Sequence, residues 1–173
     1  MKKLVQIGVS LIMLLAMLAA GANSAFAAIT AYDPIKPDMN SELNWDSGTW
    51  NDQGKHGVIV ENEHGNFGYI VEGNWAKFSD VDFGHGPSKV KAEAAYDEGS
   101  LTLSIDKPDG PVIAVVEFSP SGGLHDYEWF EADVESVRGV HDLYVTFNTG
   151  RVNVRNIQFM DEAEPPSRVT LVE

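Results

Sequence analysis

The sequence predicts an all-β protein, a jelly-roll β-sandwich of short antiparallel strands, and two observations indicate this fold. Apolar and polar residues alternate in several short segments, and in residues 143–147 Leu143, Val145 and Phe147 fall on one face. Clusters of turn-forming residues that contain glycine separate these segments. Alternation with β-branched and aromatic residues is typical of half-buried strands, and short, evenly spaced strands indicate a sandwich.

Residues 1–27 are predicted to be a secretory signal peptide. Lys2 and Lys3 precede a mostly apolar run over residues 4–20, and Ala25-Phe26-Ala27 provides a cleavage site of the A-x-A type. The alternative is an N-terminal membrane anchor, which is less favoured because the apolar run ends short of the ~20 residues that a span needs. We therefore expect a secreted, extracellular protein with no membrane contact after cleavage.

The elements that follow form one predicted domain over residues 28–160. Residues 36–57 are polar, contain Trp45 and Trp50, and are predicted to be mostly loop. The inward residues of the predicted strands are Val90, Ala92, Ala94 and Tyr96, then Leu101, Leu103 and Ile105, and then Leu143, Val145 and Phe147. The predicted turns lie at 97–99, 108–110, 121–123 and 148–150. Residues 161–173, rich in Glu and Pro, are predicted to be a frayed end or the start of a linker.

The charge balance limits the partners of this domain. The whole sequence has a formal charge of −14, and the chain without its predicted signal peptide has 10 basic against 26 acidic residues, hence −16. Such a surface repels nucleic acids and anionic polysaccharides, whereas neutral ligands are not repelled. The sequence has no cysteine, so the domain is held together without disulfides, although the extracellular environment expected for it is oxidising.

Three acids at every second residue, Glu131, Asp133 and Glu135, allow two interpretations. On a strand they share one face, and retaining glycosidases use a nucleophile and an acid/base about 5–5.5 Å apart. The chain could therefore be a small β-sandwich glycosidase that uses Glu131 and Glu135. The other interpretation is a solvated strand face, with Ala132 and Val134 turned inward. The second is preferred, because such triplets arise easily in a chain this acidic.

The histidines do not form a predicted metal site. They are His56, His64, His85, His125 and His141. None of them has the H-x-x-x-H spacing, and the E-x-x-H from Glu61 to His64 has no second histidine close by. His141, which enters a predicted strand, is expected to form a local hydrogen bond.

Several motifs in order resemble the family 6 carbohydrate-binding modules. They are FGYIVEGNWAKFSDVDFG from Phe67, GGL from Gly122, GVHDLYVTF from Gly139 and NVRNIQF from Asn153. The resemblance covers residues 31–159 and implies a β-sandwich jelly roll without catalytic residues. It also implies a binding cleft in the loops at one end, where two aromatic rings enclose a sugar and an Asn bonds its hydroxyls.

The resemblance assigns the stacking tyrosine to Tyr69 and the hydrogen-bonding Asn to Asn153. The first Trp of the family's G-G-W-Q motif corresponds to Leu124, so one aromatic wall is missing. His125 or Trp129 could complete the platform, as could Trp45 or Trp50 from the long loop. Tyr127 and Trp75 match two further aromatics of the motifs and are expected to lie in the core.

The family often carries a structural calcium, and we predict that this site is lost and that no cofactor is required. The early acidic motif of the family best matches Ile35-Lys36-Pro37-Asp38, and the later aspartate corresponds to Arg155. A calcium ion needs several oxygen ligands and neutralising negative charge, and Lys36 and Arg155 provide neither. These two cations could instead pair with Asp38.

The function that these observations favour is a secreted, non-catalytic carbohydrate-binding module for a neutral plant, algal or microbial polysaccharide. If the chain is a fragment of a larger enzyme, a tethered glycoside hydrolase is an expected partner. Two alternatives stay open. One is the small glycosidase described above, and the other is a structural wall or matrix protein that has lost its sugar site.

Overall fold

The structure, a computed structural model, describes residues 28–44, 58–60, 65–68, 70–149 and 151–161, with the backbone alone described for 58–60. The predicted signal peptide, Tyr69, Trp45, Trp50 and all of the predicted tail except Asp161 lie outside the described residues. Within the described part, no helix is long and apolar enough to cross a membrane.

The described chain folds into two packed sheets, which confirms the predicted all-β sandwich. The strands are β1 (Ile29–Thr30), β2 (Glu42–Asn44), β3 (Val58–Val60), β4 (Asn66–Gly68), β5 (Trp75–Asp82), β6 (Lys89–Tyr96), β7 (Gly99–Ile105), β8 (Val112–Phe118), β9 (Glu128–Asp133), β10 (Val140–Phe147) and β11 (Val152–Met160). A short 3₁₀ helix lies at Pro37–Met39. Sheet A has the order β1-β5-β10-β7-β8, with β2 also paired to β5, and sheet B has the order β3-β4-β11-β6-β9. The β1–β5 pair is parallel, and the other described pairs are antiparallel.

The core lies between the sheets and is built by the predicted alternation. Leu143, Val145 and Phe147 on β10 are fully buried. On β7, Leu101 and Leu103 are fully buried, and Ile105 is half-buried and packs against the core. Three phenylalanines from both sheets meet there, because the Phe67 ring lies edge-on to Phe78 and Phe147 at centroid distances of 6.4 and 5.3 Å.

The inward face of β6 is predicted correctly except at its last residue. Val90, Ala92 and Ala94 are buried as expected. Tyr96 is half-buried, and its backbone φ is +95°. This is an uncommon conformation for a bulky residue. The regular alternation of β6 therefore ends before Tyr96, which has a separate set of contacts described below.

The predicted turns connect the strands in two ways. The 108–110 turn joins neighbours β7 and β8 within sheet A, whereas the other three carry the chain from one sheet to the other. Backbone bonds from Ser121 N–H to Tyr96 O, Asp97 N–H to Arg151 O and Gly73 N–H to Phe147 O bring four loops together at one end of the sandwich. We call this the loop end.

The N-terminal segment closes one side of the sandwich. After β1 pairs with β5 in sheet A, Ala31 O accepts a bond from Phe159 N–H at 2.9 Å in sheet B. Ile35 and Ile157 form a two-bond bridge with distances of 2.7 and 3.0 Å. Residues 29–35 thus link both sheets.

Candidate functional site

Asn153 and Leu124 meet at the loop end. Asn153, near the start of β11, is half-buried, and its Nδ2 donates to Leu124 O at 2.8 Å. The Leu124 side chain is 51% exposed, which leaves an apolar surface beside the amide. The amide still has an acceptor oxygen and a second N–H, and together these can bond a pair of sugar hydroxyls. The structure thus brings the predicted Asn next to the residue that replaces the predicted Trp.

The loop that carries Leu124 is held by its own turn and by β6. Ser121 Oγ accepts a bond from Tyr96 N–H at 2.8 Å and donates to Gly123 O at 3.3 Å. Asp126 N–H donates to Gly123 O at 3.1 Å. With the Asn153 bond, these contacts fix the backbone on both sides of Leu124.

Of the other two predicted site residues, His125 lies beside the Asn153–Leu124 pair and Trp129 lies farther away. His125 is exposed beside Leu124, and its ring centroid is 6.4 Å from that of Tyr127. Trp129 lies on the outer face of edge strand β9 and is 44% exposed. Its backbone partner on β6 is Glu93, whereas the partner of Asn153 is Ala95. Trp129 is therefore displaced from Asn153 across and along the sheet.

A cation covers each of two aromatic rings on the outer face of sheet B. Lys91 Nζ lies 4.5 Å from the Trp129 ring centroid, and Arg155 Cζ lies 4.4 Å from that of Tyr127. The expected core position of Tyr127 is only partly correct, since the residue is half-buried, although its hydroxyl is buried without a hydrogen-bond partner among the described residues. Burial raises the pKa of Tyr127.

Arg155 forms its ion pair with Glu93 and not with Asp38. Arg155 Nε lies 3.0 Å from the Glu93 carboxylate, and a second guanidinium nitrogen and Asn156 Nδ2 also donate to that carboxylate. Glu93 is 6% exposed. Burial alone would raise the pKa of Glu93, but the bonds from Arg155 and Asn156 outweigh it and hold this pKa below its usual range. The bond to Glu93 raises the pKa of Arg155.

These contacts do not fit the structural calcium that the family resemblance implies. The position of the motif's aspartate holds the Arg155 cation, which already neutralises the nearest buried carboxylate. Across the described ranges, no group of three or more His, Asp or Glu side chains could hold a metal ion.

Chelation is therefore expected to leave the stability of the protein unchanged. With 5 mM EDTA or with 5 mM CaCl₂, we expect thermal unfolding midpoints that agree within about 1 °C, because a ligand that binds only the folded state would shift the midpoint. Differential scanning calorimetry measures this. A large fall in the midpoint on chelation, restored by calcium, would contradict the prediction.

The acidic triplet has the contacts of a solvated face. Glu131 and Asp133 are exposed on β9, where they alternate with the partly buried Phe130 and Ala132. Their backbone partners on β6 are Lys91 and Lys89, and Lys89 forms an ion pair with Asp133. Glu135 is also exposed, beyond the end of β9. These contacts support the solvated-face interpretation over a glycosidase site.

The described histidines lie at separate places. His85 Nε2 is 3.2 Å from Asp161 Oδ2, and the His85 ring stacks on Tyr32 at 5.7 Å. At the end opposite the loop end, His141 Nε2 lies 3.1 Å from Arg138 O, the expected local contact, and Nδ1 lies 3.1 Å from the Asp106 carboxylate.

A second aromatic surface was missed by the sequence analysis. Trp75, expected in the core, is half-buried outside the core cluster, and its ring lies 5.1 Å from Tyr144 at 67°. Lys77 Nζ, 2.7 Å from Asp142, is 5.8 Å from the Tyr144 ring centroid. Thr146 is the backbone partner of Trp75, and its Oγ1 is buried with no hydrogen-bond partner among the described residues. The outer face of sheet A thus combines apolar and polar groups.

The comparisons with known sequences agree on one family. The family model described as "carbohydrate binding module (family 6)" matches residues 43–161. An endo-1,4-beta-xylanase A from Thermoclostridium stercorarium is 31% identical over 101 residues, which are 58% of this chain and 20% of that enzyme. An arabinoxylan arabinofuranohydrolase from Bacillus subtilis (strain 168) is 28% identical over 106 residues, 60% of this chain and 20% of the enzyme. The chain thus matches about a fifth of the length of these relatives.

Solved structures show the same fold. A family 6 module from Clostridium stercorarium in complex with cellobiose has a TM-score of 0.65 and 20% identity, covering 79% of this chain and 99% of that one. A family 6 module from Clostridium cellulolyticum in complex with xylose has a TM-score of 0.62 and 21% identity, covering 76% and 99%. A beta-1,3-glucan binding module from Bacillus halodurans has a TM-score of 0.60 and 20% identity, covering 77% and 98%.

Proposed function

The chain belongs to family 6 of the carbohydrate-binding modules, and on that premise we propose that it is a secreted, non-catalytic module that binds a neutral plant, algal or microbial polysaccharide at its loop end. The observation that carries the proposal is the half-buried Asn153 amide beside the exposed Leu124. The strongly acidic chain favours neutral ligands over anionic ones.

The chemistry of this surface suits a sugar ring. The C–H face of a pyranose is apolar, and covering ~60 Å² of it contributes roughly 1.5 kcal/mol. Tyr69, in the family's stacking position, would provide one such cover, and Asn153 would bond the hydroxyls. A single small site of this kind is expected to bind with micromolar to millimolar affinity, about −8 to −4 kcal/mol. Retention on an insoluble polymer would then need several sites or a tethered partner such as a glycoside hydrolase.

The named substrates and ligands of the relatives suggest the glycans to test. They are xylan and arabinoxylan for the enzymes, and cellobiose, xylose and β-1,3-glucan for the solved structures. Affinity electrophoresis through gels that contain each soluble glycan measures binding as retardation. We expect retardation by at least one glycan, and a loss of affinity of about tenfold or more in Asn153→Ala and in Tyr69→Ala.

Three variants serve as controls in the same gels. Glu131→Gln should migrate with the same retardation as the wild type. If the wild type cleaves a glycan and Glu131→Gln does not, the glycosidase alternative is supported. Leu124→Trp should be retarded more strongly, since it adds an aromatic ring beside Asn153. Trp75→Ala should keep its retardation, and a loss would move the proposed site to the outer face of sheet A.

A second candidate function is a structural wall or matrix protein that has kept the fold and lost the sugar site. Leu124 in place of the stacking Trp and the Arg155–Glu93 pair in place of a calcium carboxylate favour it. Absence of retardation on every glycan, with a gain in Leu124→Trp, would support this second function.

A further inference from the structure

Tyr96 adopts a backbone conformation that its side chain disfavours. Its φ of +95° is a value that glycine adopts readily and that bulky residues rarely adopt. Residues held in such conformations persist only where several contacts fix them, and they occur often at ligand-binding sites. The contacts of Tyr96 therefore need an explanation.

Four contacts hold this residue in place. Its N–H donates to Ser121 Oγ at 2.8 Å, and its carbonyl accepts from Ser121 N–H at 3.0 Å. Arg151 donates to the Tyr96 hydroxyl at 3.0 Å, and Arg151 Cζ lies 5.3 Å from the ring centroid. Arg151 also forms an ion pair with Asp97 at 2.8 Å, and its side chain is 68% exposed. Tyr96 is thus joined to a solvent-facing guanidinium.

The position of Tyr96 places it beside the candidate site. Ala95 is the backbone partner of Asn153, so the Cα atoms of Tyr96 and Asn153 are about 6 Å apart from the spacing of paired strands. Ser121, which bonds Tyr96 twice, begins the loop that carries Leu124. Tyr96 therefore lies beside Asn153 at the loop end, where the exposed Leu124 provides no aromatic ring.

We propose that Tyr96 and Arg151 together form the second wall of the loop-end cleft and take the place of the ring that Leu124 does not provide. The Tyr96 ring removes an apolar C–H face of a pyranose from water. The guanidinium donates to hydroxyls from the N–H groups that Tyr96 and Asp97 do not use. This inference rests on the proposed binding of a neutral glycan and names the residues that determine its affinity.

The conformational strain provides the test. Glycine adopts a φ of +95° freely, so Tyr96→Gly removes the strain together with the ring. We expect its thermal unfolding midpoint to equal or exceed that of the wild type, and its Kd for a glycan that retards the wild type to rise about tenfold. Tyr96→Phe keeps the ring and should bind within about twofold of the wild type. Tyr96→Leu keeps the strain and an apolar side chain but lacks the ring, and should bind as weakly as Tyr96→Gly.

Isothermal titration with that glycan and calorimetric melting separate the outcomes. Wild-type affinity in Tyr96→Leu, with affinity lost in Asn153→Ala, would overturn the role of Tyr96 and leave the proposed function standing. If Tyr96→Gly fails to fold, the comparison of Tyr96→Leu with Tyr96→Phe decides. A wild-type protein that binds no glycan of the panel would overturn both the role of Tyr96 and the proposed function.

Discussion

Phe67→Ala is expected to lower the free energy of unfolding by about 4 kcal/mol. Phe67 is 1% exposed on the three-residue strand β4, and its ring packs edge-on against Phe78 of sheet A and Phe147 of β10. The substitution leaves a cavity between the sheets that rigid strands cannot fill. For a domain of this size the thermal midpoint should fall by roughly 12 °C.

Urea denaturation followed by tryptophan fluorescence measures this loss. Phe67→Leu is the matched control, because it keeps most of the apolar volume and should cost only about 1–2 kcal/mol. A Phe67→Ala protein as stable as the wild type would contradict the position of this ring in the core.

Arg155→Met is expected to cost about 2 kcal/mol of stability at pH 7. The substitution leaves the Glu93 carboxylate, 6% exposed, with the Asn156 amide as its one remaining hydrogen-bond donor from the described residues of β11. A fully buried charge that loses its partner costs about 3–5 kcal/mol. We expect a smaller loss of about 2 kcal/mol here, because the Arg155 side chain is 38% exposed and the ion pair is only partly buried. Urea denaturation at pH 7 measures the change.

The pH dependence of this effect follows from the pKa of Glu93. Its folded-state pKa is lowered, so its contribution to stability is present above the ordinary carboxylate range and is lost as pH falls through the folded pKa. Arg155→Met removes most of that lowering, so its difference from the wild type should shrink between pH 7 and pH 3. The double variant Glu93→Gln/Arg155→Met removes both charges and should be more stable than Arg155→Met alone at pH 7. A difference that grew in acid would contradict this assignment.

The parts of this fold that depend on local pattern were predictable from the sequence. Alternation over 143–147 predicted the inward face of β10, and glycine turns predicted where strands end. Alternation also placed Trp75 on the other face of β5 from Ala76 and Phe78, but it does not say which face is buried. In the structure the face with Ala76 and Phe78 is the buried one. The core assignment of Trp75 was therefore wrong, because a motif match does not say which face of the strand is buried.

The candidate site was predictable only where a motif named the residue. The family motifs name Asn153 and Leu124, but no local pattern predicts the bond between them, which joins residues 29 positions apart. The Arg155–Glu93 pair spans 62 positions and has no local pattern. Tyr96 was misplaced because alternation assumes a regular strand, whereas a φ of +95° turns this residue out of the pattern.

The N-terminal segment that joins both sheets has a consequence for how the chain becomes native. Residues 29–35 precede the other described strands in the chain, yet Ala31 and Ile35 bond Phe159 and Ile157 on β11. The sandwich cannot close until almost the whole domain has been synthesised, and such distant pairings make folding slow. If the predicted signal peptide directs export, closure of the sandwich is expected to follow the passage of β11 across the membrane.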